Sequence, residues 1–526
     1  MKARRQGLMR GAAILAAAGI IVKGIGALFK IPLGAILGPI GMADFSIAYN
    51  IYALLFVLST AGVPIAVSKM IAEECALHQF DGARRVFHIT MASFAGIGAA
   101  ASALLFFQAD FFARSMGSSS AASAIRAIAP AIFFVSVASI CRGYYQGRSN
   151  MLPTAISEIL EALGKLFVGL AAALWLSRRG FPVATVAAGA VLGVTAGAAV
   201  SCAFLLLRRR GGGQGAGEIP SRRAVLKRLF STAIPITLGA SIISLTNVID
   251  SAIVMRLLQQ LGCTVEEARW LFGSYNYATT IFNLPGVMIT TLGVSLVPAI
   301  AASAARGSYA DISQTIESSL RVAMLFAIPA ALGLFALGEP VIYLLYGGHV
   351  EYAAIREAGR MLSLLAAAIP PLAVSSISAA VLQALGDVKF PMCSMACGAA
   401  LKVMANWALV GIPQIHIYGA CFGTLLCYLM IAAMNAFRLA RRAELHIEFS
   451  RVFLKTTLCG LLTGVCAKLV LHAARTVYSD KIAVLFSVFS GIFVCFLAAI
   501  LLRVLTQEDI LLFFGKKRIT KFLKNH

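Results

Sequence analysis

The sequence predicts an all-α, polytopic membrane protein, and three observations predict it. Of 526 residues, 60% are hydrophobic and 13% charged, against roughly 45–50% and about 25% in an average soluble domain. The apolar residues gather into runs of about 20 or more, the length a helix needs to cross a hydrocarbon layer about 30 Å thick. Lys and Arg, the source of a net charge of +23, sit mainly in the short gaps between runs, so the charge needs no nucleic-acid partner.

About fourteen spans are expected at this spacing. Six lie near 11–37, 45–71, 86–107, 124–146, 154–176 and 183–207. Six more lie near 232–256, 271–299, 320–343, 362–386, 392–411 and 417–438, and the last two near 452–473 and 482–504. Helices are expected because a backbone in lipid must satisfy its own hydrogen bonds, and the runs are too long and continuous for barrel strands. Arg4 and Arg5 precede the first run as in a signal peptide. That run is too long for a signal h-region and contains Lys23 and Lys30, so it reads as a retained first helix. The eleven cysteines lie mostly in apolar runs without CxxC or Cys/His spacing, which implies small core residues and no disulfide framework.

The domain plan is an N-terminal lobe at 1–207, a basic Gly/Arg-rich linker at 208–231 (beginning RRRGGGQGAGEIPSRR), a C-terminal lobe at 232–438, and two further helices with a basic tail at 439–526. Basic residues of the connections concentrate on the N-terminal side of the membrane, among them Arg84, Arg85, Arg142, Arg148, Arg208, Arg438 and tail residues Lys516, Lys517 and Arg518. By the positive-inside rule both termini are expected on the cytoplasmic side of the membrane, and the basic face is drawn to anionic lipid. Fewer basic residues, such as Arg178, Arg179 and Arg269, fall on the other side.

The two lobes echo each other. Gln146, Pro153 and Lys165 recur as Gln383, Pro391 and Lys402 at nearly one offset, Gly189-Ala190 with Gly193 recurs as Gly419-Ala420 with Gly423, and Gly62-Val63 recurs as Gly293-Val294. Because the offset spans six helices, both lobes enter the membrane in the same direction. The pseudo-two-fold axis then lies along the membrane normal, a parallel repeat whose rocking lobes give alternating access to a cavity.

Ionisable residues inside spans are costly and therefore mark cavities or partners. Lys23 and Lys30 lie two turns apart on nearly one face of helix one, a cationic patch for an anionic substrate group or, for Lys30 above all, side chains reaching toward an interface. Asn247 and Asp250 share a face of helix seven, Asp250 as a counter-ion, a coupling-ion ligand or one side of a structural ion pair. Helix five carries Glu158, Glu161 and Lys165. Glu161 and Lys165 are spaced to pair with each other; Glu158 and Glu161, with Asp250, are candidates for an ion pair or for coupling, Glu158 near the cytoplasmic end being open to plain solvation, and Lys165 is a candidate to line the cavity. Lys402 is the repeat partner of Lys165, and Asn276 belongs to a polar face of helix eight with Tyr275, Tyr277, Thr279, Thr280 and Asn283. No phosphate loop, HExxH or GxSxG is present, and the seven His form no ligand-spaced cluster, so no enzyme, cofactor or metal site is expected.

Three stretches carry a family resemblance: Gly26 to Glu73 (including KIPLGAILGPIGMADFSIAYNIY and LSTAGVPIAVSKMIAE), YYQGRSNMLPTA from Tyr144, and Asn247 to Asn276 (NVIDSAIVMRLL with TVEEARWLFGSYN). They resemble the stage V sporulation protein B branch of polysaccharide exporters, in the superfamily of MurJ-type lipid II flippases and MATE antiporters. The resemblance implies two six-helix lobes in a V plus two C-terminal helices that help form a groove for a polyprenyl tail. It implies a flippase for a polyprenyl-pyrophosphate-linked saccharide, lipid II the leading case, with Lys23 and Lys30 near the pyrophosphate. Departures from the MurJ pattern are Ile31 after Lys30, Leu55-Phe56-Val57 in place of arginines, and Thr279-Thr280 in place of an Asp-Arg pair, which together make a less basic cavity. The rival expectations are a cation-coupled multidrug antiporter and a non-transporting scaffold of a cell-wall assembly complex.

Overall fold

The computed structural model describes residues 2–208, 220–305, 309–443, 453–502 and 504, and among them the regular structure is helical. Residues 209–219 of the expected linker and the basic tail lie outside the described residues. The chain packs as two compact units, residues 1–273 and 274–526.

In the first unit, α1 (Lys2–Thr60) is followed by α2 (Val63–Ala76), α3 (Phe80–Phe107), α4 (Ala109–Ser115), α5 (Ala122–Gly147), α6 (Leu152–Arg178), α7 (Val183–Leu207) and α8 (Arg222–Gln260). α1 is two helices joined at Gly38, whose φ of 63° is a left-handed conformation that glycine adopts without strain. The break falls between the first two expected spans. The second span is interrupted again at Ala61-Gly62, where the Gly62 N–H donates to the Thr237 hydroxyl of α8 at 3.2 Å. A side chain at Gly62 would strike the Ala233 carbonyl, so the close approach of α8 requires glycine here. Val63, Val67, Ile71, Phe87 and Tyr144 form a core here with Val225, Leu229 and Ala233. Packing thus groups α8 with α1, α2 and α3, and the first unit extends past residue 232 to Gly273.

α9 (Val265–Ala305) begins in the first unit. The second unit continues with α10 (Tyr309–Tyr346), α11 (Tyr352–Ala366), α12 (Ile369–Ala384), α13 (Lys389–Val410), α14 (Tyr418–Ala443), α15 (Lys455–Ala474) and α16 (Asp480–Leu501). α11 and α12 meet at a bend of 46° and are long and apolar enough for one span only when taken together, so the run expected at 362–386 straddles a break at residues 367–368. α15 and α16 pack on α10 through Leu337, Ala467, Leu471, Ala483 and Val484. On α16, Phe489, Phe493, Phe496 and Ile500 are exposed along one face, as suits a helix in lipid.

Among the described residues eleven helices are long and apolar enough to cross a membrane, or twelve with the bent pair. One of the eleven, Ala17–Ala76, is a 60-residue run that contains the Gly38 break and so holds two expected spans. α9 covers a further expected span. The protein is a multi-pass membrane protein, compatible with fourteen crossings. The expected repeat positions Gly193 and Gly423 have similar surroundings within their own units. At Gly193, against α6, a side chain would meet the Lys165 carbonyl at 3.1 Å; at Gly423, against α13, it would meet the Lys402 carbonyl at 3.3 Å.

Candidate functional site

The first unit gathers its buried charge where α1, α5, α6 and α7 meet. Beyond the Gly38 break, α1 carries Phe45, Tyr49, Tyr52 and Phe56 at helical spacing, so the four rings line one face with successive centroids 5.6–5.9 Å apart, Phe45 and Tyr49 stacked and the others tilted. Phe29, from the first half of α1, packs on Phe45 at 5.8 Å. Two ammonium groups converge on this column. Lys30 Nζ stands 5.5 Å from the centre of the Tyr49 ring, and Lys165 Nζ of α6 stands 5.0 Å from the same centre and 5.3 Å from that of Phe29. Lys165 also donates to the Tyr49 hydroxyl at 3.3 Å. Aromatic faces attract cations by about 0.5–2 kcal/mol, less than a carboxylate does. Neither lysine has a carboxylate within ion-pair distance among the described residues.

The carboxylate that could neutralise Lys165 is engaged elsewhere. Glu161, one turn before Lys165 on α6, accepts from Arg142 Nη2 of α5 at 2.8 Å and from the Tyr52 hydroxyl at 3.4 Å. Arg142 further donates from Nε to Ser157 at 3.0 Å and from Nη2 to Ser201 of α7 at 3.2 Å. The sequence reading takes Arg142 as a connection charge and Glu161 as a partner of Lys165. The structure instead buries Arg142 inside α5 at 5% exposure and pairs it with Glu161. The physical reason is geometric: Arg142 offers a multi-donor fork that satisfies Glu161 and two hydroxyls at once, whereas Lys165 turns to the aromatic column. Glu158 lies within electrostatic reach of Arg142. Three cationic and two carboxylate side chains leave one net positive charge, and the Lys30–Lys165 end carries the excess.

The other expected residues lie on α1, α8, α9 and α13. Lys23 is exposed on α1, two turns before Lys30. On α8, Asn247 is exposed and Asp250 is buried. The neighbouring Ser251 accepts from Asn50 of α1 at 2.8 Å. Asn276 is partly buried on α9, its carbonyl accepting from Thr279 and Thr280. In the second unit Lys402 is buried on α13, within electrostatic reach of Tyr428 on α14. No group of three His, Cys, Asp or Glu capable of holding a metal occurs among the described residues.

Several polar residues at the helix junctions were not singled out from sequence. Asp44 is fully buried just past the α1 break and accepts from Ser118 at 2.8 Å, Ser120 at 2.9 Å and Arg269. An acid inside an apolar run immediately after GPIG is the signal that marks it. The aromatic column was legible too, as Phe45, Tyr49, Tyr52 and Phe56 recur at i, i+4, i+7 and i+11, one helical face.

Comparison with known proteins places this arrangement. Residues 8–304, more than half of the chain, match the family described as polysaccharide biosynthesis protein. The chain belongs to that family. Residues 235–408 also match the MatE family. Lipid II flippase MurJ of Bacillus subtilis is 25% identical over 487 residues, covering 88% of this chain and 88% of that protein. Stage V sporulation protein B of the same organism is 22% identical over 476 residues, covering 88% and 89%. Among solved structures, lipid II flippase MurJ in an inward closed conformation superposes with a TM-score of 0.72 at 14% identity, over 93% of this chain and 99% of that one. The expected stage V sporulation protein B-like membership and the helical fold are both met. As a family the relatives are transporters and flippases, not enzymes.

Proposed function

We propose that the protein flips a polyprenyl-pyrophosphate-linked saccharide across the cytoplasmic membrane by alternating access, lipid II being the leading cargo. The observation that carries the reading is the pair Lys30 and Lys165, two half-buried ammonium groups on one tyrosine ring with no carboxylate partner among the described residues. Both lie within 5.5 Å of the centre of the Tyr49 ring, and like charges gathered at one ring repel when neither is neutralised. Two ammoniums held together without neutralisation therefore favour a multivalent anion between them. A diphosphate is such an anion, and it cannot cross hydrocarbon with its sugars unaided. Lys23 extends the cationic face toward the N-terminal end of α1, while Asn247, Asp250, Asn276 and Lys402 are further polar candidates for the path.

Both termini on the cytoplasmic side agree with the distribution of basic loops, and the apolar outer face of α16 suits a polyprenyl tail. A cationic-drug antiporter fits less well, because its cargo would meet net positive charge in the first unit. The deciding experiment is head-group-specific flipping by purified protein in vesicles. Lys30→Ala with Lys165→Ala, and separately Lys23→Glu, are expected to abolish or strongly slow transfer while membrane insertion stays normal. Unchanged flipping by the Lys30/Lys165 double variant would sink the reading.

A further inference from the structure

Tyr49 and Tyr52 lie on the same face of α1, yet their hydroxyl groups are used differently. The Tyr52 hydroxyl donates its hydrogen to Glu161 at 3.4 Å. The Tyr49 hydroxyl accepts from Lys165 at 3.3 Å, and among the described residues no acceptor takes its own hydrogen. A phenol carries one donor and two acceptor lone pairs, so Tyr49 keeps a donor in reserve at the point where both ammoniums converge. Its ring is not free to turn away. It stacks on Phe45 at 5.6 Å with an interplanar angle of 14° and against Tyr52 at 5.9 Å. Lys30 has all three N–H donors unused among the described residues, and Lys165 has used one.

We propose that Tyr49 is a specificity residue of the anion site, donating its phenolic hydrogen to the phosphate chain of the lipid cargo and thereby selecting a diphosphate over a monophosphate. The inference rests on the anion reading above and adds to it. Two ammoniums within 5.5 Å of the Tyr49 ring centre and the hydroxyl of that ring present separate donors that a single phosphate can satisfy only in part. A diphosphate offers more oxygens and more charge across the same span. The aromatic column supplies rigidity, so the donors need no reorganisation when the anion arrives, and preorganisation of this kind is where selectivity comes from.

The test is equilibrium binding of two probes, polyprenyl diphosphate and polyprenyl monophosphate, to the full chain in lipid nanodiscs. Tyr49→Phe keeps the ring and removes only the hydroxyl. It is expected to weaken diphosphate binding about tenfold, the scale of a hydrogen bond to a charged group, with a smaller loss for the monophosphate, so that the ratio between the probes falls. Incorporating 3-fluorotyrosine at position 49, which makes the phenol a stronger donor without changing its shape appreciably, is expected to raise that ratio. If Tyr49→Phe fails to fold, as its unfolding temperature will show, the fluorotyrosine form decides alone. An unchanged ratio in the folded variants, with binding lost in Lys165→Ala, overturns the role of Tyr49 and leaves the anion site standing. Diphosphate binding that survives in Lys30→Ala, Lys165→Ala and Tyr49→Phe alike overturns both.

Discussion

Arg269 at the start of α9 grips Asp44 of α1 through two nitrogens, Nε to Oδ1 at 3.2 Å and Nη2 to Oδ2 at 2.5 Å. Asp44 is fully buried and Arg269 nearly so. Ser118 and Ser120 add two hydroxyl donors, so four donors meet one carboxylate. The close approach depends on Gly273, one turn after Arg269, where any side chain would run into the Pro39 carbonyl. Removing one partner of a buried pair leaves an uncompensated charge and costs about 3–5 kcal/mol. Arg269→Met is therefore expected to destabilise the protein by that amount. Asp44→Asn is expected to cost less, because its amide oxygen still accepts from the two serines. Denaturant unfolding of the purified protein in detergent measures both, and an Arg269→Met variant as stable as the parent would show that the pair contributes nothing.

The repeat makes a paired prediction. A methyl group at Gly193 would lie 2.3 Å from the Gly169 nitrogen, and one at Gly423 would lie 1.9 Å from Asn406 Oδ1. The first obstacle is backbone and the second a side chain that is itself fully buried. Overpacking of this kind typically costs about 1–3 kcal/mol. Gly193→Ala and Gly423→Ala should each lower the unfolding midpoint, Gly193→Ala by at least as much because a backbone yields less. Equal stability of both variants to the parent would mean that the two crossings are not tight.

Much of the architecture is readable in the sequence because hydropathy acts on whole helices. The run 183–207 coincides with α7, and the gap after residue 37 coincides with the break at Gly38. The bend within α11–α12 is not readable, since its two halves together resemble one apolar run. Lys30, Lys165, Glu158 and Glu161 stand out because ionised groups are rare in spans. Who pairs with whom is decided by tertiary packing. The i,i+4 spacing favours Glu161 with Lys165, but Arg142, Ser157 and Ser201 come from three helices and claim the same region. Arg142 sits near a run boundary and is indistinguishable in sequence from a loop charge. Tyr49 draws no attention until the lysines are seen to share its ring.

The Arg142–Glu161 pair should behave differently from its separate members. Arg142→Met strands Glu161, with Tyr52 its one remaining hydrogen-bond partner among the described residues, at an expected cost of about 3–5 kcal/mol. Arg142→Met with Glu161→Met removes both charges and should recover a large part of that loss, as replacement of buried pairs by apolar residues often does. A double-mutant cycle on unfolding midpoints isolates the coupling. Stabilities that simply add would place the two side chains out of contact.

Glu161→Gln tests the electrostatics of the same cluster by another route. It removes a carboxylate one turn from Lys165 and keeps an oxygen that still accepts from Arg142. The cluster then gains one positive charge, so a polyprenyl diphosphate probe is expected to bind several-fold tighter, with a steeper decline on adding salt as surface-accessible charge is screened. Weaker binding would instead assign Glu161 a supporting role in shaping the site.

The α8–α9 hairpin provides a pH test outside the spans. Glu267 accepts from the Thr264 N–H at 2.7 Å and its hydroxyl at 2.9 Å, while the Glu267 N–H donates back to the Thr264 hydroxyl at 3.2 Å. This is a reciprocal cap on the first turn of α9. The Thr264 backbone and hydroxyl donors hold the Glu267 carboxyl below the usual carboxylate range. A depressed folded value means that the charged cap contributes fully above the unfolded value of about 4.3, and that its contribution is lost as pH falls through the folded value. Protection factors for the hairpin amides in hydrogen exchange should hold level from neutral pH to about 5 and decline only below the unfolded value of about 4.3. Thr264→Val should lower them at neutral pH and flatten the acid decline. Protection that falls between neutrality and about pH 5 would tie hairpin opening to a group that titrates higher than a capping glutamate.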